Sequence, residues 1–382
     1  MTIKILIGAD ICPTSSNYEL FAKADLAALI GSELSSLLKQ ADYTLFNLET
    51  PLTDNPSPID KVGPCLRAPS ASIHGLKAIN PHFFTLANNH ILDQGEQGLR
   101  NTVSLLQKAG IAYGGVGENL AQAAEPAIVE VQGTKLGIYC CAENEFSIAT
   151  DYTAGANPYD PLSSFDVVRQ LKTGCDFVIV LYHGGKEYYR YPSPQVQRVF
   201  HKFADCGADL VIAQHTHCIG CMESYQGSTL VYGQGNFLFD HSESEYWQTN
   251  LLLEVNINKQ ARAFSVNYIP CVKQTNGVRF AGPVQAQQIL AEFQSRSKQI
   301  QEPGFVVKNY QIFAEKLLNR YLQGCSGWLG HGLMGRILNK LTKDRFFKKI
   351  YTSKDMLRFQ NILRCEAHRE VFLQATKRKN KL

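Results

Sequence analysis

Apolar residues along the first 270 positions come in short blocks, each running four to six residues and stopping abruptly at polar ones. The blocks IKILIGAD, YTLFNLE, FFTLANN, DFVIVLYHGG and ADLVIAQHTH are rich in β-branched and aromatic residues, which predicts buried strands. Between them the period changes. Segments 94–108, 163–173 and 193–206 space their apolar residues three and four apart, and the last opens on a Ser-Pro pair, so each predicts an amphipathic helix. Short buried strands alternating with helices predict an α/β sandwich with a largely parallel or mixed sheet. From 221 to 270 strand follows strand with Gly and Asn turns (STLVYGQGNF, TNLLLEVNIN, RAFSVNYIP), which predicts antiparallel strands completing a second sheet. Beyond Pro270 residues 284–299, 308–322 and 334–375 read as helices. The expected division is a domain over 1–270 and a mostly helical, basic extension over 271–382, with no internal repeat or low-complexity stretch.

A chain of 382 residues, 45% hydrophobic and 19% charged, can bury a large core. No apolar run reaches the roughly 18 residues needed to cross a bilayer. The opening MTIKILIGADI lacks the regions of a secretion signal and reads as a first strand. Eleven cysteines, two of them adjacent at Cys140 and Cys141, then read as reduced thiols, and the cytoplasm is the expected compartment. The net charge of +4 conceals an asymmetry. Residues 341–382 hold twelve Lys or Arg against four Asp or Glu, a net +8, which leaves −4 on residues 1–340. Such a segment is commonly a solvated helical face and tail; the sharper reading is peripheral contact with anionic lipid headgroups or with a polymer-synthesis complex. No nucleic-acid motif is present in the sequence.

The five strand-like blocks share a feature that buried strands do not need. Each ends in a residue able to bind a metal: Asp10, then Glu49, then Asn89 beside His90, then His183, then His215 and His217. In α/β sheets ligands gather beyond the carboxyl ends of strands, so five such endings can converge on one site. Taken singly, His183 reads as a satisfied core histidine, and the single HxH of His215-Thr216-His217 is weak evidence. Their joint order carries the metal reading. Carboxylate, amide and imidazole donors suit a hard-to-borderline divalent ion such as Mn, Zn or Fe, and a shared carboxylate can bridge two ions about 4 Å apart.

The ordered set GAD, NLE, ANNHxxD, HGGxEY, HTH and GNFxFD resembles the CapA-type capsule and poly-γ-glutamate synthesis proteins, in the metallophosphatase (calcineurin-like phosphoesterase) superfamily, over roughly residues 3–250. The resemblance implies a four-layer β-sandwich flanked by helices. It implies two divalent cations, one held by Asp10 and His217 and the other by Asn89, His183 and His215. Glu49 would bridge them where relatives with phosphoesterase activity use Asp. His90 would protonate the leaving group while a metal-activated water attacks, and Asp93 would orient His90. Glu187, Asn236 and Asp240 are implied as supporting or substrate-facing. The implied activity is metal-dependent hydrolysis of a phosphoester or a γ-glutamyl amide in an anionic substrate. The rival reading is a non-catalytic accessory subunit that holds an anionic polymer. In one place the sequence departs from the superfamily: the usual Asp-x-His opening is Asp10-Ile11-Cys12 here. Cys12 either supplies a thiolate, which would favour zinc, or is a small apolar residue before Pro13, the reading expected here.

The remaining signals are weaker. Lys61, Arg67, Lys186 and Arg190 either steer an anionic substrate or sit as solvated loop charges. Cys218 and Cys221, in HCIGC with no second CxxC, read as thiols on the rim of the site. Gly114-Gly115-Val116-Gly117 lacks the P-loop lysine and reads as a turn. Tyr188, Tyr189 and Tyr191 read as packing or rim residues, and His74, His82, His201 and His241 as surface or structural.

Overall fold

In the first apolar block Ile3, Ile5 and Ile7 face one core while Leu6 faces another, the two-sided burial of a central strand. The computed structural model that shows this describes residues 2–240, 243–261 and 263–379. His241 lies outside the described residues. In chain order the strands are β1 (Thr2–Cys12), β2 (Tyr43–Leu48), β3 (Phe83–Thr85), β4 (Ala112–Gly114), β5 (Val116–Gly117), β6 (Ala127–Val131), β7 (Thr134–Ala142) and β8 (Gly155–Ala156). They continue as β9 (Phe177–His183), β10 (Leu210–Gln214), β11 (Met222–Tyr225), β12 (Ser228–Val231), β13 (Asn236–Phe239), β14 (Thr249–Asn258), β15 (Ala263–Gln274) and β16 (Gly277–Phe280).

Two mixed sheets form the centre. One has the order β16-β15-β14-β1-β2-β3-β4, with β13 also paired to β1; the other runs β11-β12-β10-β9-β7-β6. Between them pack Ile5, Leu45 and Phe83 from the first sheet and Ile138, Ile179 and Ile212 from the second. The first sheet's outer face, with Phe46 and Phe84, is covered by Leu34, Leu76 and Leu106 from helices Gly31–Lys39, Ile73–Ala78 and Gly95–Ala109. On the second sheet, Val178 and Val180 meet Val168 and Phe200 from helices Ser164–Gly174 and Pro194–Asp205. The layers are thus helix, sheet, sheet, helix, as the resemblance implied.

The predicted helices at 94–108, 163–173 and 193–206 form within a residue or two of those bounds. The third shows why: the Ser193 hydroxyl accepts from the Val196 amide at 3.1 Å and Pro194 fills the first turn. Two expectations need correction, and a hairpin must be added between them. The strands at 249–258 and 263–274 do not complete the second sheet; β14 pairs antiparallel with β1 and extends the first. Only β11 and β12 of the 221–270 region join the second sheet. That sheet also contains the hairpin β6–β7, unread in the sequence although its two-residue turn, Gln132-Gly133, has the paired positive φ values (46° and 75°) of a tight hairpin. The second concerns the division of the chain. A boundary at 270 falls inside β15, whereas the first compact unit runs to Val306 and takes in helix Pro283–Gln299, whose Ile289 and Phe293 enter the inter-sheet core.

The second unit begins at Val307. It is helical, and the stretch 334–375 is broken into separate helices, including Leu333–Leu341, Phe346–Ile350 and Ser353–Arg364. The last of these starts at a reciprocal cap between Thr352 and Asp355. Among the described residues no helix is long and apolar enough to cross a membrane. All eleven cysteines are unbridged, and Cys140 and Cys141 point into different cores.

Candidate metal centre

Strands β1, β2 and β3 run parallel in one sheet, β9 and β10 run parallel in the other, and the carboxyl ends of both sets meet on one rim. Asp10 lies in β1 where the register against β2 and β13 shifts, aligned with Asn47 on one side and Asn236 on the other. Glu49 follows β2 directly, its amide bonded to the Ile11 carbonyl at 2.9 Å. Asn89 and His90 sit in the turn beyond β3, which is only three residues long, and His183 is the last residue of β9. Past β10, His215 and His217 adopt left-handed backbone (φ 83° and 52°), as does Tyr188 (φ 60°). That conformation costs a non-glycine residue about 1–3 kcal/mol and is concentrated at functional sites. Here it takes both residues out of the strand conformation of β10, and their imidazoles meet at the cluster.

The six expected ligands are brought together and buried. Glu49 Oε1 lies 3.5 Å from His183 Nε2, 4.0 Å from His217 Nε2 and 4.0 Å from His90 Nε2. Asp10 Oδ2 is 3.8 Å from His217 Nδ1 and accepts the His215 amide at 3.2 Å. His183 Nε2 is 2.9 Å from Asn89 Oδ1, and the His183 and His215 rings are 4.7 Å apart. Donor atoms of Glu49, His215 and His217 all fall within 4.8 Å of one another.

Electrostatically this cluster is short of positive charge. Burial, reinforced by the Glu49 charge and opposed by His217, pushes the Asp10 carboxyl up to about 8. Glu49 is raised for the same first reason. Burial drives His183 and His215 well below the usual imidazole range, so both are neutral with lone pairs to offer. Neither oxygen of Glu49 makes a hydrogen bond, and nor does His215 Nδ1. Buried, unpaired acceptors of this kind are costly unless something binds them. Carboxylate, amide oxygen and neutral imidazole fit a divalent cation.

A second group stands beside the first. His90 Nδ1 lies 2.6 Å from Asp93 Oδ2, whose carboxylate also accepts the Leu66 amide at 2.6 Å and forms a buried ion pair with Lys61. With Nδ1 engaged, His90 presents Nε2 to Glu49. Lys61 therefore lies behind the histidine, not out in the cleft as a free steering charge.

Other expected residues divide. Asn236 Oδ1 holds His217 Nδ1 at 2.8 Å. Glu187 and Lys186 are half-buried near the cluster, close enough that Glu187 raises Glu49 and Lys186 lowers His215. Arg67 donates to the Thr53 carbonyl at 3.2 Å; Arg190 donates to the Ile219 carbonyl at 3.1 Å and lies over the Tyr246 ring. Asp240 is paired with Lys273 at 2.6 Å and accepts from Ser16. Cys12 is buried with Phe239 and Trp247, burial holds its thiol well above the usual range, and it is not among the clustered donors. Cys218 and Cys221 are buried instead of lining a rim. His82 and His201 are structural, stacked on Tyr43 and Tyr225.

Sequence reading missed four supports. Asn47 donates to Asp10 Oδ1 at 2.8 Å and lies 3.2 Å from His183 Nδ1; Asn88 donates to Asn47 Oδ1 at 3.1 Å and to the Leu48 carbonyl. Glu145 accepts from Asn89 Nδ2 at 3.2 Å. Trp247 stacks on His217 with ring centroids 4.8 Å apart. The two asparagines carried a signal, since a polar residue in a β-strand and a doubled Asn after one both ask for a reason; Trp247 carried none.

The family described as bacterial capsule synthesis protein PGA_cap matches residues 4–241. The PGA biosynthesis protein CapA of Bacillus subtilis (strain 168) is 30% identical over 210 residues, covering 53% of this chain and 55% of that one. The capsule biosynthesis protein CapA of Bacillus anthracis is 30% identical over 217 residues, covering 54% and 53%. A Mycobacterium tuberculosis (strain ATCC 25618 / H37Rv) protein named "Probable polyglutamine synthesis accessory protein" is 32% identical over 213 residues, covering 52% and 56%. The chain thus spans about half the length of the curated relatives it matches.

Proposed function

The chain belongs to the bacterial capsule synthesis protein family PGA_cap, and from that premise we propose that the buried cluster is the metal centre of a hydrolase acting on an anionic polymer such as poly-γ-glutamate. The observation that carries the reading is Glu49, an unpaired buried carboxylate with three imidazoles within 4.0 Å. Asp10 and His217 would hold one divalent cation (Mn, Zn or Fe) and Asn89, His183 and His215 a second, with Glu49 shared. Cations there would supply Lewis acidity towards substrate oxygens and water.

The chain's own residues do the rest. His90 delivers a proton from Nε2 to the departing amine or alkoxide, because Asp93 engages Nδ1 and fixes the ring. Lys61 holds the Asp93 carboxylate in place. Asn236 and Trp247 hold the His217 ring, and Asn47 spaces Asp10 from His183. Lys186, which makes no ion pair among the described residues, offers a cation for an anionic chain.

The test is turnover of γ-glutamyl amide and phosphoester substrates with Mn or Zn added, by the wild type and His90→Ala. The proposal expects γ-glutamyl cleavage, and an unchanged metal content in His90→Ala with activity down about 10²–10⁴-fold. Turnover of phosphoesters alone would assign a phosphoesterase instead. A second reading, a non-catalytic accessory subunit binding the polymer, is favoured by Cys12 in place of the superfamily's first-motif histidine. It is the outcome if metal and polymer both bind and His90→Ala changes neither binding nor any turnover.

A further inference from the structure

Helix Leu333–Leu341, LMGRILNKL, is inside out. At 100° per residue Leu333, Met334, Ile337 and Leu341 fall within an arc of about 100°. A helix of a globular unit buries such a stripe, yet all four are exposed, Leu333 and Leu341 by 75% each. The buried face is Gly335 and Asn339. Asn339 is fully occupied there, accepting from Asn319 Nδ2 and donating to Asp344 Oδ1, both at 3.0 Å. Rotating the helix to hide its leucines would break both bonds and strand the amides. The neighbouring short helix Gly327–His331 adds Trp328, 77% exposed.

Around this apolar stripe cations predominate, with Asp344 the one acid among Arg336, Lys340, Lys343 and Arg345. Arg336 and Lys340 are exposed on its flank, followed by Lys343 and Arg345. Residues 307–382 together hold seventeen Lys or Arg against five Asp or Glu, a net +12 in a chain of +4, so residues 1–306 carry −8. We propose that the face formed by Trp328, Leu333, Met334, Ile337 and Leu341 docks on the surface of an anionic lipid bilayer. An exposed apolar stripe, a neighbouring tryptophan and flanking cations are the features of a helix that lies in the headgroup plane with its apolar side about 5–10 Å deep. A second copy of the same face is disfavoured, because two strongly cationic surfaces would have to meet. The inference is independent of the metal centre and stands whether or not that centre hydrolyses anything.

The experiment uses the full chain with vesicles of phosphatidylcholine alone or with about a third phosphatidylglycerol. Wild type is expected to cosediment with the anionic vesicles about tenfold or more strongly than with the neutral ones, and to be released by salt. Trp247→Phe leaves Trp328 as the sole tryptophan, whose emission should shift to the blue on the anionic vesicles. Leu333→Asn/Ile337→Asn/Leu341→Asn should lose at least about tenfold in partition with unchanged helicity, and Arg336→Glu/Lys340→Glu should lose the preference for anionic lipid. No partition, equal partition on both vesicles, or full binding by the triple variant would overturn the proposal. A solution dimer that the triple variant dissociates and vesicles do not would overturn it too, assigning the face to self-association.

Discussion

Lys61 and Asp93 form an ion pair sealed from solvent, their side chains 2% and 0% exposed, on the far side of His90 from Glu49. The two residues are 32 positions apart, one in a Pro-rich loop and the other in the turn after β3. Desolvating two charges is repaid only when the geometry is good and the remaining lone pairs are used, as they are by His90 and the Leu66 amide.

Lys61→Met is therefore expected to leave a buried carboxylate unpaired and to destabilise the protein by about 3–5 kcal/mol in denaturant unfolding. Lys61→Met/Asp93→Asn should recover part of the loss. A loss of about 1 kcal/mol or less would mean that the pair behaves as a solvent-screened one.

The metal-free protein should become less stable as pH rises from 6.5 to 8. Asp10 is protonated in the folded state up to about 8 but ionises near 3.8 when unfolded, so its contribution is complete at low pH and is lost as pH climbs through that interval. Glu49 acts in the same direction. The depressed His183 and His215 work the other way, but only as pH falls below about 6.5, where the unfolded imidazoles gain protons. Melting temperatures in chelator across this window, with Asp10→Asn flattening the slope, provide the check. Added Mn or Zn should raise the melting temperature more at pH 8 than at pH 6.5, because cation binding displaces the protons.

Asn236→Ala should weaken divalent-cation binding about 10–100-fold by freeing the His217 ring. Competition with a chromophoric chelator reads this directly, and Asn236→Asp should restore most of it. Equal affinity in the alanine variant would show that the Trp247 stack alone holds the ring.

Cys12→Ser should leave the bound metal content unchanged, since the thiol packs against Phe239 and Trp247 and lies outside the clustered donors. Loss of one equivalent on elemental analysis would make Cys12 a ligand.

The chemistry-bearing residues were more legible than the sheets that carry them. Asp10, Glu49, Asn89, His183, His215 and His217 could be picked out because each polar residue interrupts an apolar block, and burial makes such interruptions costly unless they serve a purpose. Strand partners could not be read the same way. The alternation within TNLLLEVNIN fixes which side chains face a core, not which strand lies alongside, and β14 found the open edge of β1. The role of Lys61 was hidden for a related reason: a lysine in a polar loop has the composition of a solvated charge, and only the fold brings Asp93 to it. The boundary at Val306 was blurred because helix Pro283–Gln299 belongs to the first unit by packing while resembling the later helices in composition.

Asp10, Glu49 and Asn89 hang from one sheet and His183, His215 and His217 from the other. A cation gripped by donors of both parentage would be a clasp at the open end of the sandwich, tying together layers that elsewhere meet mainly through hydrocarbon, with a few polar links such as Gln214 to the Gly8 carbonyl and Lys259 to Asp176. Loading and emptying the centre would then change how readily the two halves part at that end, which links the supply of metal to the lifetime of the folded molecule.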